Sequence, residues 1–138
     1  MKFLVTGGAG YIGSHMVKYL QNRSFQVDVI DNFSTGNHWA LKGCNIYEID
    51  LRDEISLNNI LSQNTYDAVF HFAAKSVVGE SITNEQEYIE NNVTASKNVL
   101  DGIIKYNIKN IIFSSSASVF GEVNSVKINE NHPKFPIN

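Results

Sequence analysis

Cysteine is nearly missing from this 138-residue chain, and Cys44 is the only one. No internal disulfide can form, which suits a reducing cytoplasm, and a lone loop thiol carries no expected function. Charge of one sign does not accumulate either. Eleven Lys and Arg stand against 14 Asp and Glu, for a net charge of -3 and no basic run. Nucleic acid is therefore not an expected partner. No apolar stretch approaches the roughly 20 residues that cross a bilayer. The chain opens straight into an apolar run, without a charged-then-apolar leader. His15, His38 and His132 have no carboxylate or thiol at ligand spacing, so no metal is expected. Repeats and low-complexity tracts are absent, and both prolines, Pro133 and Pro136, fall in a polar stretch, 123–138, that reads as loop. What is left, 43% hydrophobic and 18% charged, is ordinary for one globular domain with a real core.

The informative stretch comes first. Phe3 to Val5 is an apolar run that reads as a buried strand. Gly7, Gly10 and Gly13 follow, and a helical pattern begins with Ile12, Met16, Tyr19 and Leu20 on one face. Each glycine has its own physical use. Gly7 suits a tight turn, Gly10 allows close approach of the backbone to a diphosphate, and Gly13 allows close packing of helix on sheet. The helix start then offers unpaired N–H groups to the phosphates. Taken alone, the triplet is also compatible with a glycine-rich turn that binds nothing. The second strand, Gln26 to Ile30, ends at Asp31, 18 positions after Gly13, close to where a ribose-binding carboxylate is expected.

Further strands are predicted at 46–49, 67–72 and 110–113, the fourth of them central. Asp53 reads as the N-cap of a helix carrying Leu57, Ile60 and Leu61. Gly79 falls in a loop. A long helix is predicted from about Glu85 to Tyr106, with Ile89, Val93, Ser96, Val99 or Leu100, and Ile103 on its inner face. Strand and helix alternate, so the fold class is α/β, a doubly wound parallel sheet. Ligands of such sheets sit beyond the carboxyl ends of the strands, where the polar residues here fall. His71, in an apolar strand, reads as a satisfied core histidine. Asp50 and Asp53 are also compatible with turn and cap chemistry alone, and Asn91-Asn92 with simple exposure.

Thr6-Gly7-Gly8-Ala9-Gly10-Tyr11-Ile12-Gly13 resembles the opening of extended short-chain dehydrogenase/reductases. Asp31-Asn32-Phe33-Ser34-Thr35-Gly36, His71-Phe72-Ala73-Ala74, Val78-Gly79-Glu80-Ser81, Asn91-Asn92-Val93 and Ser114-Ser115-Ser116-Ala117-Ser118 resemble the UDP-glucose 4-epimerases in particular. The resemblance implies a Rossmann-like NAD-binding domain over 1–138, cut off after its fifth strand. It also implies a nucleotide-sugar substrate. Hydride leaves C4 of the sugar for NAD and returns to the other face, while a Tyr beside a Lys acts as general base. Carried over by position, Gly7, Gly10, Tyr11, Ile12 and Gly13 form the diphosphate turn. Asp31 and Asn32 belong to the loop that takes the adenosine ribose, and Asp31 favours NAD over NADP. Asp50 and Leu51 meet the adenine. Phe72, Ala73, Ala74, Lys75 and Asn91 line the rest of the cofactor. Ser116 matches the catalytic serine and Ser118 a residue near the sugar.

The family's Tyr-x-x-x-Lys is missing: Tyr19, Tyr66 and Tyr106 are followed four positions later by Arg23, Phe70 and Asn110. Pro136-Ile137-Asn138 resembles the segment just before that motif. The chain is therefore expected to be the front part of such an enzyme, inactive alone, with weak NAD binding. A homodimer through the helix at 85–106 is expected. A non-catalytic NAD-binding module or fragment remains a live alternative. A sugar-nucleotide 4,6-dehydratase is the nearest enzymatic one, though its Asp-Glu pair is absent from the serine loop.

Overall fold

Nearly continuous burial along the middle strands, with exposed strands on either side, decides the architecture. The computed structural model describes residues 1–123 and 127–137. The strands β1 (Lys2–Thr6), β2 (Gln26–Asp31), β3 (Asn45–Glu48), β4 (Ala68–His71) and β5 (Ile111–Phe113) form one sheet in the order β3-β2-β1-β4-β5. Every pairing is parallel, with Val5 level with Val29 and Phe70. β1 is thus the middle strand and β4 lies beside it.

On one face Leu4, Ile30 and Val69 pack against α2 (Glu54–Gln63) and α5 (Ala95–Lys105) through Leu57, Leu61, Val99 and Ile103. On the other, Val5, Val27 and Val29 meet Val17 and Leu20 of α1 (Tyr11–Gln21). Asp53 caps α2 by accepting the Ser56 N–H at 3.1 Å. The described residues of the 123–138 stretch form no helix or strand; 124–126 and Asn138, the last part of the Pro136-Ile137-Asn138 match, lie outside them.

Three predicted features turn out differently. In α1 the inner face is Gly13, Val17 and Leu20, while Ile12 and Tyr19 are exposed. A Cβ on Gly13 would stand 2.1 Å from the Gly7 carbonyl oxygen, so the bare face of the helix turns inward. Hydrophobic spacing cannot register a glycine as a packing surface. Gly79 lies in a short helix, α3 (Val78–Thr83), instead of a loop. The long helix is continuous from Glu85 to Lys105, but between α4 (Glu85–Ile89) and α5 it contains a π turn, Glu90–Thr94. Such a turn holds an extra residue and rotates what precedes it. Ile89 and Val93 therefore leave the inner face and are exposed, as is Leu100, while Ala95, Val99, Gly102 and Ile103 are buried.

At the amino-terminal end of the sheet, Asp28 is 1% exposed. It accepts from Tyr66 Oη at 2.8 Å and Asn45 Nδ2 at 2.9 Å, and pairs with Lys2 Nζ at 2.8 Å. Removing one donor from a buried carboxylate costs more than an ordinary hydrogen bond, so Tyr66→Phe is expected to lower stability by about 2 kcal/mol in urea unfolding.

Candidate functional site

The strand order reverses across β1 and β4, and the loops leaving their carboxyl ends diverge. A cleft of about 500 Å³ opens there. Its floor is the turn between β1 and α1. Gly7 has φ +69°, and its N–H donates to the Ile30 carbonyl at 2.8 Å. A Cβ on it would lie 2.6 Å from Ala73 N, so this turn and the exit of β4 touch only because the side chain is missing. Gly10 differs: a Cβ there would find only the Gly7 oxygen, at 3.4 Å. Gly10 begins α1 with no side-chain cap, leaving the first-turn N–H groups of a helix beside the cleft, which Gly10, Tyr11, Ile12 and Gly13 line.

Asp31 ends β2 and is 9% exposed. Its Oδ2 accepts the Ala9 N–H at 2.8 Å and its Oδ1 the Phe33 N–H at 2.8 Å. One carboxylate thus ties the glycine turn to the loop at 32–36 and holds Phe33 in its left-handed conformation, φ +53°. Each oxygen keeps a lone pair, so the group can still accept two hydroxyls from a ligand in the cleft.

The wall after β3 carries Asp50 and Leu51. Arg52 grips Asp50 with two side-chain bonds, Nε at 2.9 Å and a terminal nitrogen at 2.7 Å, and Asn32 Nδ2 adds a third at 3.1 Å. The Arg52 hydrogen bonds hold this carboxyl well below the usual carboxylate range. Turn chemistry and cleft lining therefore coexist at Asp50. Asn98 of α5 donates to the Leu51 carbonyl at 3.0 Å and fixes that wall from behind.

The opposite wall is the segment leaving β4: Phe72, Ala73, Ala74, Lys75, Ser76 and Val77. The Lys75 ammonium is 2.6 Å from Glu87 Oε1, and that bond raises its pKa. The Lys75 backbone is held by Asn92, while Asn91, which lines the cleft, donates to Asn92 Oδ1 at 3.0 Å. All residues predicted to hold the cofactor, from Gly7 to Asn91, line this one cleft. Ser116 and Ser118 do not. They follow β5 at the same sheet edge, where Ser116 Oγ accepts the Ser118 N–H at 3.2 Å and caps a short 3₁₀ turn, Ala117–Phe120. Sequence reasoning missed Ala9, whose backbone meets Asp31, and Asn98. A helix-averse Asn inside an apolar pattern was the available signal for the latter.

Beneath the cleft, His71 is buried, with Nδ1 2.7 Å from Thr6 Oγ1 and Nε2 2.8 Å from Ser96 Oγ. It is a satisfied core histidine, as predicted. Burial pushes its pKa down from 6.5 to about 4. The unfolded chain binds a proton near pH 6.5 that the folded chain refuses until about pH 4. The stability that a neutral His71 contributes is therefore fully present above pH 6.5 and is lost as pH drops towards 4, by about 3 kcal/mol. Urea unfolding at pH 7 and pH 4.5 is expected to show most of that loss, and His71→Gln to flatten it.

Comparison with known proteins gives consistent results. The profile of the NAD dependent epimerase/dehydratase family matches residues 3–138. A UDP-glucose 4-epimerase of Halalkalibacterium halodurans is 44% identical over 138 residues, covering 100% of this chain and 41% of the relative. One from Corynebacterium glutamicum is 41% identical over 139 residues, 100% of this chain and 42% of the relative. The crystal structure of UDP-glucose 4-epimerase from Bifidobacterium longum in complex with NAD+ and UDP superposes with a TM-score of 0.94 at 36% identity, over 98% of this chain and 43% of that one. The chain spans about two-fifths of the length of the curated relatives it matches.

Proposed function

Starting from the membership of this chain in the NAD dependent epimerase/dehydratase family, we propose that its cleft is the NAD site of a nucleotide-sugar 4-epimerase. The observation that carries the reading is Asp31: a nearly buried carboxylate, braced by two backbone N–H groups, at the edge of a cleft whose floor is open at Gly10. That combination fits a dinucleotide. The helix start and the Gly10 backbone suit a diphosphate, and the spare lone pairs of Asp31 suit the two hydroxyls of a ribose. The same charge would repel a 2′-phosphate, which favours NAD over NADP. Leu51 offers an apolar wall for adenine, and Phe72, Ala73, Ala74, Lys75 and Asn91 would flank the remainder.

When bound, NAD supplies the acceptor for hydride from C4 of a sugar such as that of UDP-glucose or UDP-galactose. Ser116 would orient the sugar oxygen and Ser118 would stand near the sugar. A general base is still required, and the sequence holds no Tyr followed four residues later by Lys. The 138 residues by themselves are therefore expected to take up NAD without epimerising. UDP-galactose with added NAD should give no turnover above background, and measurable turnover would contradict this. Calorimetry should give micromolar or weaker affinity for NAD, and weaker still for NADP. Equal affinity for the two would remove the case for Asp31.

A second reading, a non-catalytic NAD-binding module, is favoured by the same missing pair. A 4,6-dehydratase is disfavoured because Ser116-Ala117-Ser118 contains no acid. For partners, we propose a second copy of the chain seated on the helix at 85–106, supported by the exposed Ile89, Val93, Leu100 and Ile104. Sedimentation should show a dimer; a clean monomer would overturn that. The single thiol fits a cytoplasmic location.

A further inference from the structure

The wall leaving β4 is irregular, and very little fixes it. Phe72 N–H donates to the Thr6 carbonyl at 3.0 Å, and the Val77 carbonyl accepts from Ser81 N–H at 3.2 Å and Tyr88 Oη at 2.8 Å. Between them, among the described residues, the backbone of 73–76 makes hydrogen bonds only to Asn92. The Lys75 N–H donates to Asn92 Oδ1 at 2.8 Å, and Asn92 Nδ2 donates to the Lys75 carbonyl at 2.9 Å. A primary carboxamide matches a backbone amide in this paired fashion, and a shorter or acceptor-only side chain does not. Asn92 sits in the middle of the π turn, the one place where the helix departs from α geometry. Such turns are frequent at functional sites. Asn98, one α turn and a half further on, holds the opposite wall at Leu51.

We propose that Asn92 is a positioning residue of the cofactor cleft. Its carboxamide substitutes for the missing sheet partner of Lys75 and keeps 73–76 at the distance from the glycine turn that a nucleotide requires. This rests on the NAD reading above, because it concerns what the wall is positioned for. The clamp is independent of the Lys75 side chain, which is engaged by Glu87.

Amide hydrogen exchange and NAD calorimetry on the same protein separate the two claims. In the ligand-free wild type the Lys75 amide should be protected. Asn92→Ala should speed its exchange by at least about tenfold and weaken NAD by a similar factor, with protection in β1 and β4 unchanged. Asn92→Asp guards against a variant that fails to fold and adds a signature that a merely structural role would not produce. A neutral carboxylic acid presents the same acceptor and donor as the carboxamide, whereas a carboxylate repels the Lys75 carbonyl. Repulsion by the Lys75 carbonyl favours the neutral acid and lifts this carboxyl above its usual value of about 4, so in Asn92→Asp, NAD affinity and Lys75 protection should both recover in part as pH falls from 8 to 5. The titratable and charged groups on the neighbouring elements are Glu87, Glu80 and Tyr88 around Lys75, Glu90 and Glu87 facing Arg52, and His71, which meets Ser96 of α5. They are common to wild type and variant, so the wild-type profile removes their contribution. Variants that bind NAD like the wild type, or an Asn92→Asp with no recovery, would overturn the proposal. A wild type that takes up no NAD would overturn the cofactor reading instead, with exchange at Lys75 still reporting the clamp.

Discussion

Replacing Gly7 with alanine is expected to cost about 3 kcal/mol of stability. Two costs add. A residue with a Cβ loses roughly 1–2 kcal/mol in the left-handed conformation that Gly7 adopts, φ +69°. The methyl would also stand 2.6 Å from Ala73 N and 2.8 Å from Ala73 Cα, atoms of backbone and not the tip of a flexible side chain. Overpacking of that kind costs about 1–3 kcal/mol. Either the turn or the exit of β4 must move, and both border the cleft, so NAD binding should fall as well. Gly10→Ala is the informative contrast. Its Cβ meets only one atom, at 3.4 Å, so stability should change by less than about 1 kcal/mol. Gly10 borders the cleft, so the same methyl should weaken NAD. Urea unfolding and calorimetry on the two variants would separate a glycine needed for the fold from a glycine needed for the ligand.

Asp31→Asn is expected to reduce NAD affinity by about two orders of magnitude and to narrow the preference over NADP. Charge-assisted hydrogen bonds contribute about 1.5–3 kcal/mol each. The amide keeps one acceptor for Phe33 N–H but sets an NH₂ against the Ala9 N–H, two donors facing each other over what is now a 2.8 Å bond. The glycine turn would then lose its tie to the 32–36 loop. With the negative charge gone, a 2′-phosphate is no longer repelled. Calorimetry with NAD and NADP on wild type and variant measures both effects. A variant with unchanged NAD affinity would show that Asp31 serves only the loop.

The sequence made the binding corner legible because its chemistry lies in residue types at fixed offsets. Gly7, Gly10, Gly13 and Asp31 can be identified without coordinates, and the alternation of strand and helix placed them all beyond the carboxyl ends of the strands. Helical periodicity was less informative where packing is done by something other than a large apolar side chain. Gly13 turned α1 by its lack of a side chain, and Gly102 lets α5 approach α2 in the same way, since a Cβ on it would stand 2.4 Å from Leu61 Cδ1. The π turn was invisible: nothing in Glu90-Asn91-Asn92-Val93-Thr94 distinguishes it from an α turn except two residues that dislike helices. Those asparagines were the hint, and their partners, Lys75 and one another, could be assigned only once the loop from β4 was placed. The Lys75 side chain is the remaining case. The resemblance implied that Lys75 lines the cofactor; the residue does line the cleft, and its ammonium is paired there with Glu87.

A crystal structure of this chain grown with NAD would decide whether the glycine turn and Asp31 hold the nucleotide. The diphosphate should lie against the amides of Gly10 to Gly13 and the adenosine ribose hydroxyls on Asp31, with adenine beside Leu51. A nucleotide bound away from the glycine turn, or a ribose that leaves Asp31 to Ala9 and Phe33 alone, would contradict it.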